Sequence, residues 1–231
     1  MPRKKTVGVG IIGFGASGME YAAAIRKNRD ARLAVVADTV SERRERACAE
    51  YGASQCVADY RGLLDVKDVG VACVCTPHHV RRQIVTDCLE AGKHVIVEKP
   101  LASSVSDVDA MVATAQRVGK RLFVGHNHRF IPSIQRIREM IRSDAIGAVF
   151  LGTTCFVSDE FARMSDTENW KGSVLSGGGV LIDNCVNVVD TLRSFLGDVV
   201  WVMASGWQGA VKLPNKGEDS AVAQLGFVSG A

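Results

Sequence analysis

The stretch Val7–Ile12, VGVGII, runs directly into Gly13-Phe14-Gly15-Ala16-Ser17-Gly18 and then into a helical pattern that ends near Lys27. A buried strand, a G-x-G-x-x-G turn and an opening helix are compatible with few folds. The first glycine permits the tight turn, the second lets the backbone approach a pyrophosphate, and the third lets helix and strand pack closely. The first N–H groups of the helix have no intrahelical partner and present themselves to a phosphate. Gly13, Phe14, Gly15, Ala16, Ser17 and Gly18 are therefore the candidate dinucleotide loop. The string alone is weak; its place between strand and helix gives it weight. Asp38 ends the next apolar run, 20 residues after Gly18. A carboxylate there accepts hydrogen bonds from an adenosine ribose 2′-hydroxyl, which favours NAD. Arg43 and Arg44 lie nearby and moderate the repulsion of a 2′-phosphate, so NADP stays open.

The alternation continues. Leu33–Ala37, Val71–Cys75, His94–Val97 and Leu122–Val124 are further short apolar or β-branched runs, each read as a buried strand. Ser17–Lys27, Ser41–Tyr51, His79–Ala91 and Ser106–Val118 carry helical periodicity, and Gly92 and Gly119 stand where left-handed caps end helices. The predicted class is α/β, with a Rossmann-type doubly wound parallel sheet over residues 1–125. From residue 126 to 231 the pattern is α+β. Ile131, Ile134, Ile137 and Ile141 mark a helix, Ala148–Val157 a strand, and Val180–Leu196 a second helix. Val199–Trp207 and Ala221–Val228 read as strands. Ser158–Ser176 is a long polar connection of the kind that often carries function. After Ala221–Val228 a Ser229-Gly230 turn leads to Ala231 without a return strand, and the expectation is a fragment of a longer protein.

Charge and cysteine usage narrow the classes. A net charge of +3, evenly spread, and 6% aromatics give neither a basic footprint nor a base-stacking platform, so no nucleic acid partner is expected. No apolar run approaches the roughly 20 residues of a membrane span. The basic start runs into the first strand and does not read as a signal peptide. The seven cysteines are scattered and fit neither a zinc site nor a disulfide framework. The expectation is a cytoplasmic protein with buried thiols and no metal.

Two segments end strands at the carboxyl edge of the sheet, where open α/β folds bind ligands. They are Thr76-Pro77-His78-His79 and Glu98-Lys99-Pro100. A lysine there, beside an oxidised nicotinamide, can donate or accept a proton. In GGGVLIDNCVNVVD, Gly177–Asp190, the side chains of Asp183, Asn187 and Asp190 stand at i, i+4 and i+7, on one face of a predicted helix.

The ordered set GFGASG, Asp38, TPHH, EAGKHVIVEKPLA, VGHNHRFIP, IGAV, GGGVLID and VVD resembles the glucose–fructose oxidoreductase/inositol dehydrogenase (Gfo/Idh/MocA) family through almost the whole chain. The resemblance implies an N-terminal Rossmann domain and a C-terminal α+β domain with a large, mostly antiparallel sheet. It also implies NAD(P)-dependent chemistry on a hydroxyl or carbonyl of a sugar, cyclitol or related polyol, and a homo-oligomer, dimer or tetramer, formed through that sheet. By the same resemblance Lys99 sits beside nicotinamide and substrate, and Thr76, Pro77, His79 and Glu98 lie at the cofactor. Catalysis then falls to Lys99, Asp183 and Asn187. Asn127, His128 and Trp170 join them as substrate-binding candidates.

The chain departs from the family pattern in three places. Asn187 stands where the family has a histidine, Cys185 replaces a usual glycine, and Arg81 stands where a histidine is frequent. An asparagine cannot take up a proton near neutral pH, so His128 is held as a reserve base, and His79 as a stand-in near the cofactor. The loss of the expected base opens a second reading: a catalytically impaired protein that senses a dinucleotide or a sugar.

Overall fold

The computed structural model describes residues 6–159, 178–209 and 217–231. The chain divides into two compact units, Met1–Gly125 and His126–Ala231.

In the first unit six strands form one sheet: β1 (Val7–Ile12), β2 (Ala31–Ala37), β3 (Gln55–Val57), β4 (Val69–Val74), β5 (His94–Val97) and β6 (Leu122–Val124). Their spatial order is β3-β2-β1-β4-β5-β6, and every neighbouring pair is parallel. Parallel strands need crossovers, and α1 (Ala16–Lys27), α2 (Ser41–Tyr51), α3 (Arg61–Leu64), α4 (Arg81–Glu90) and α5 (Val105–Val118) supply them. Side-chain alternation sends Ile11 to one face, with Phe14, Leu33 and Val36, and Ile12 to the other, with Val35, Val74, Val85 and Leu89. Both faces are thus buried, which is why the strands read as continuous apolar runs. The α/β reading holds.

Three features differ from the sequence reading. β3 and α3 are too short to leave a periodic signal. The third predicted helix begins as a 3-10 turn, His78–Val80, before α4. Cys48 and Cys56 form a disulfide, which corrects the expectation of a chain without one. Cys48 lies on α2 and Cys56 on β3, and their adjacency follows from an edge strand that spacing does not reveal. Cys73, as expected, is a buried thiol, and burial pushes it up to about 12.

The second unit opens with a 3-10 turn, Asn127–Phe130, followed by α6 (Pro132–Arg142), α7 (Val180–Asp183), α8 (Cys185–Leu196) and an antiparallel pair, β7 (Val199–Trp207) and β8 (Ser220–Phe227). Two expectations are corrected. Among the described residues Ala148–Val157 carries no strand and pairs with no neighbour, and alternation by itself does not supply a hydrogen-bonded partner. The helix predicted over Val180–Leu196 is two helices, stepped at Asn184 (φ −104°, ψ −47°). Asparagine is a weak helix former, and apolar periodicity does not register a one-residue step. Most of the polar connection, with Trp170, lies outside the described residues.

Asp190 ties α8 to the 3-10 turn. Its carboxylate accepts two hydrogen bonds from Arg129, at 2.7 and 2.6 Å, and His126 Nε2 lies 3.7 Å away. Burial raises the Asp190 pKa, but the Arg129 hydrogen bonds and the charges of His126 and Arg129 outweigh it, so the net shift is downward. A carboxylate more acidic in the folded state stabilises the fold above its unfolded pKa of about 3.9, and that stabilisation is lost as pH falls through the folded value. Arg129→Gln is expected to cost about 1 kcal/mol at pH 7. In urea titrations the difference from the parent chain should shrink below about pH 4; a difference independent of pH would refute the pairing.

Candidate functional site

Gly13 leaves β1 with φ +89°, and a Cβ there would press on the Cys75–Thr76 backbone at 3.0 Å. Its N–H donates to the Ala37 carbonyl at 2.8 Å, which fastens the loop to the end of β2. Gly15 is the N-cap of α1, no side chain caps that helix, and nothing lies within 4 Å of where a Gly15 Cβ would stand. A Cβ on Gly18 would collide with the Gly13 carbonyl, so the third glycine is what lets α1 close on the loop. Ala16 and Ser17 form the first turn. The Phe14 side chain is 1% exposed and meets the Tyr51 ring edge-on at 5.2 Å. Phe14 therefore anchors the loop in the core and offers a ligand only its backbone.

Asp38 does more than its position at the end of β2 announces. Its Oδ2 accepts from the Phe14 N–H at 2.6 Å and its Oδ1 from the Val40 N–H at 2.9 Å. Arg43 Nη1 lies 3.7 Å from Oδ2, and Arg44 Nη1 donates to the Asp38 carbonyl at 2.7 Å. The carboxylate thus shapes the glycine loop, and its remaining lone pairs stay available for a sugar hydroxyl. Beside the loop lies a cleft of about 370 Å³ lined by Phe14, Gly15, Ala16, Met19, Val40, Glu42, Arg43 and Arg46. An uncapped helix N-terminus, an open face at Gly15 and an acid at the neighbouring strand end fit a dinucleotide.

The next two strand ends are joined by an arginine. Arg81, 3% exposed, donates from Nε to the Thr76 carbonyl at 2.7 Å and from Nη1 to the carbonyls of Glu98 and Pro100. His79, held as the stand-in, is exposed, whereas His78 is buried. Thr76 Oγ1 is buried without a hydrogen-bond partner among the described residues, and Pro77 turns the chain into the 3-10 turn. Lys99 is half-buried, and its peptide bond to Pro100 is cis. Burial raises the Glu98 pKa, against the charge of Lys99 and a hydrogen bond with Tyr21. The Tyr21 hydroxyl is pushed up in turn by burial and by Glu98. Gly125, at the end of β6, makes room for this pair, since a Cβ there would lie 3.0 Å from Glu98 Oε1. Glu98 thus faces Tyr21.

In the second unit Gly179 takes φ +120°, and a Cβ there would run into the Glu218 carboxylate. Glu218 accepts the Val180 N–H on its carbonyl and the Leu181 N–H on Oε1, both at 2.9 Å, and so holds the start of α7. Asp183, 3% exposed, ends α7. Asn187 lies in the first turn of α8, half-buried, and its Oδ1 has no hydrogen-bond partner among the described residues. Because of the step at Asn184, Asp183 and Asn187 are not successive positions on one helix. Asn127 is exposed and His128 half-buried on the 3-10 turn. Among the described residues no cluster of three or more His, Cys, Asp or Glu could hold a metal ion. Sequence reasoning missed Glu218 entirely. An acid just before a strand is an ordinary surface feature, and only its approach to Gly179 marks it.

Known proteins sharpen these observations. The model of the Gfo/Idh/MocA oxidoreductase family, NAD-binding Rossmann fold, matches residues 7–126, and that of the Gfo/Idh/MocA C-terminal domain matches residues 134–231. The chain is 32% identical to 1-carboxy-3-chloro-3,4-dihydroxycyclohexa-1,5-diene dehydrogenase of Comamonas testosteroni, over 80% of this chain and 46% of that protein. It is 29% identical to levoglucosan dehydrogenase of Pseudarthrobacter phenanthrenivorans, over 85% of this chain and 50% of that one. The crystal structure of apo scyllo-inositol dehydrogenase from Lactobacillus casei superposes with a TM-score of 0.85 at 22% identity, over 97% of this chain and 66% of that chain, which shows the shared fold. The chain spans about half the length of the first two relatives. Two family models that together run from the glycine loop to the last strand leave one conclusion: the chain belongs to the Gfo/Idh/MocA oxidoreductase family.

Proposed function

We propose that the chain acts as an NAD(P)-dependent oxidoreductase on a sugar, cyclitol or related polyol. The observation that carries this reading is the glycine loop braced by Asp38, on the same sheet edge as Lys99. NAD is the cofactor, and when bound it supplies the hydride acceptor or donor. Gly13–Gly18 and the start of α1 hold the pyrophosphate, and Asp38 receives the adenosine ribose. Arg43 beside the acid supports tolerance of a 2′-phosphate. Lys99 exchanges the proton of the reacting hydroxyl. Asp183 accepts from substrate hydroxyls, and Asn187, whose Oδ1 has no partner among the described residues, both donates and accepts. Asn127, His128 and Trp170 complete the substrate contacts. The relatives named above favour ring carbons that carry hydroxyls. The exposed Val200, Val202, Met203 and Val222 support a homo-oligomer through the β7–β8 sheet.

Asn187 in place of the expected histidine favours a second reading, a sensor of dinucleotide or sugar with impaired turnover. NAD(P) reduction across a panel of sugars and inositols separates the two. On the enzyme reading Lys99→Ala lowers kcat by about 10²–10⁴-fold, while NAD affinity stays within about threefold because the loop is untouched. Micromolar NAD binding with no turnover on any substrate would instead select the sensor. Asn187→His is expected to raise kcat by about tenfold or more, up to the range for a restored general base. A variant no faster than the parent would show that α8 is not built to seat a base there.

A further inference from the structure

We infer that Arg81 is a positioning residue for Lys99. The inference rests on the reading that Lys99 handles the substrate proton. Its basis is geometric. Lys99 lies between Glu98 and Pro100, and Arg81 Nη1 donates to the carbonyls of both. Nε of the same guanidinium holds the Thr76 carbonyl, just past the end of β4, at 2.7 Å. One buried side chain therefore fastens the backbone on either side of Lys99 and ties it to the neighbouring strand end.

The position of Arg81 argues against a role in helix stability. It is the first residue of α4, where the helix dipole disfavours a cation. A buried guanidinium also loses hydration, and that cost has to be offset by its hydrogen bonds. A group that is unfavourable for its own helix but engages three carbonyls from two loops serves the loops. Arg81 performs this through a planar fork with several fixed donors. A lysine offers a compact point charge and cannot reproduce the fork, and a histidine has at most two N–H groups. Small displacements of a catalytic group, of about 1 Å, cost on the order of 10²-fold in rate.

The test compares Arg81→Lys with Arg82→Ala, the adjacent exposed arginine that pairs with Asp107 at 3.0 Å. Arg81→Lys should lower kcat by about 10²-fold and leave the KM for NAD within about threefold, and Arg82→Ala should change neither. In amide hydrogen exchange, Arg81→Lys should quicken Glu98–Leu101 by tenfold or more while Val7–Lys27 keeps its protection. If Arg81→Lys does not fold, Arg81→Gln takes its place, with a planar donor and no buried charge. Wild-type kcat and wild-type exchange overturn the inference. So does a fall in kcat accompanied by a matching rise in the KM for NAD and loss of protection throughout the unit, which is the mark of a merely structural arginine. A parent chain inert on every substrate sinks the proposed function instead. The exchange comparison then decides alone: local quickening supports the clamp, and unchanged or global exchange overturns it.

Discussion

A parallel sheet in water must cover both of its faces, and strands that follow one another along the chain must be joined by a crossover. In this chain those two requirements place the ends of β1, β2, β4, β5 and β6 on one edge, where Gly13, Asp38, Cys75, Glu98 and Gly125 follow the last strand residues. The chain leaves β1 outward through β2 to β3 and then returns to β4 on the other side of β1. At that reversal the connections diverge and leave room beside the strand ends. The glycine loop and the Glu98-Lys99-Pro100 turn share this edge because of topology, not because of any direct attraction between them.

The edge is held together by hydrogen bonds that satisfy backbone groups. Asp38 takes the Phe14 and Val40 N–H groups, and Arg81 takes the Thr76, Glu98 and Pro100 carbonyls. One anion gathers donors at β1 and β2, and one cation gathers acceptors at β4 and β5. Such buried polar groups are costly to leave unpaired, so each loop has few other conformations open to it. In the second unit Glu218 does comparable work at the start of α7, where only a glycine at 179 leaves room for its carboxylate.

Much of this was legible from residues alone. The β-branched runs, the helical stripes and the glycines marked all but the shortest elements of the first unit. They did so because sheets and helices impose periods of 2 and 3.6 on any buried face. Ile11 and Ile12 show it directly: neighbours in sequence, they enter separate cores. The expected Ala148–Val157 strand finds no partner among the described residues, and alternation along one segment cannot show whether a partner exists. The step at Asn184 was missed because the apolar stripe runs across it.

The sequence by itself determined the α/β class, the glycine loop between β1 and α1, the acid at the end of β2 and the lysine after β5, since each depends on local spacing against a repeating backbone. Only the tertiary structure decided that Asp38 braces the loop it follows by 24 residues, that Arg81 spans two strand ends, that Cys48 reaches Cys56, and that Glu218 meets Gly179. These are contacts between segments whose separation along the chain carries no period. Folding brings them together, and no local pattern encodes where a side chain's reach will end.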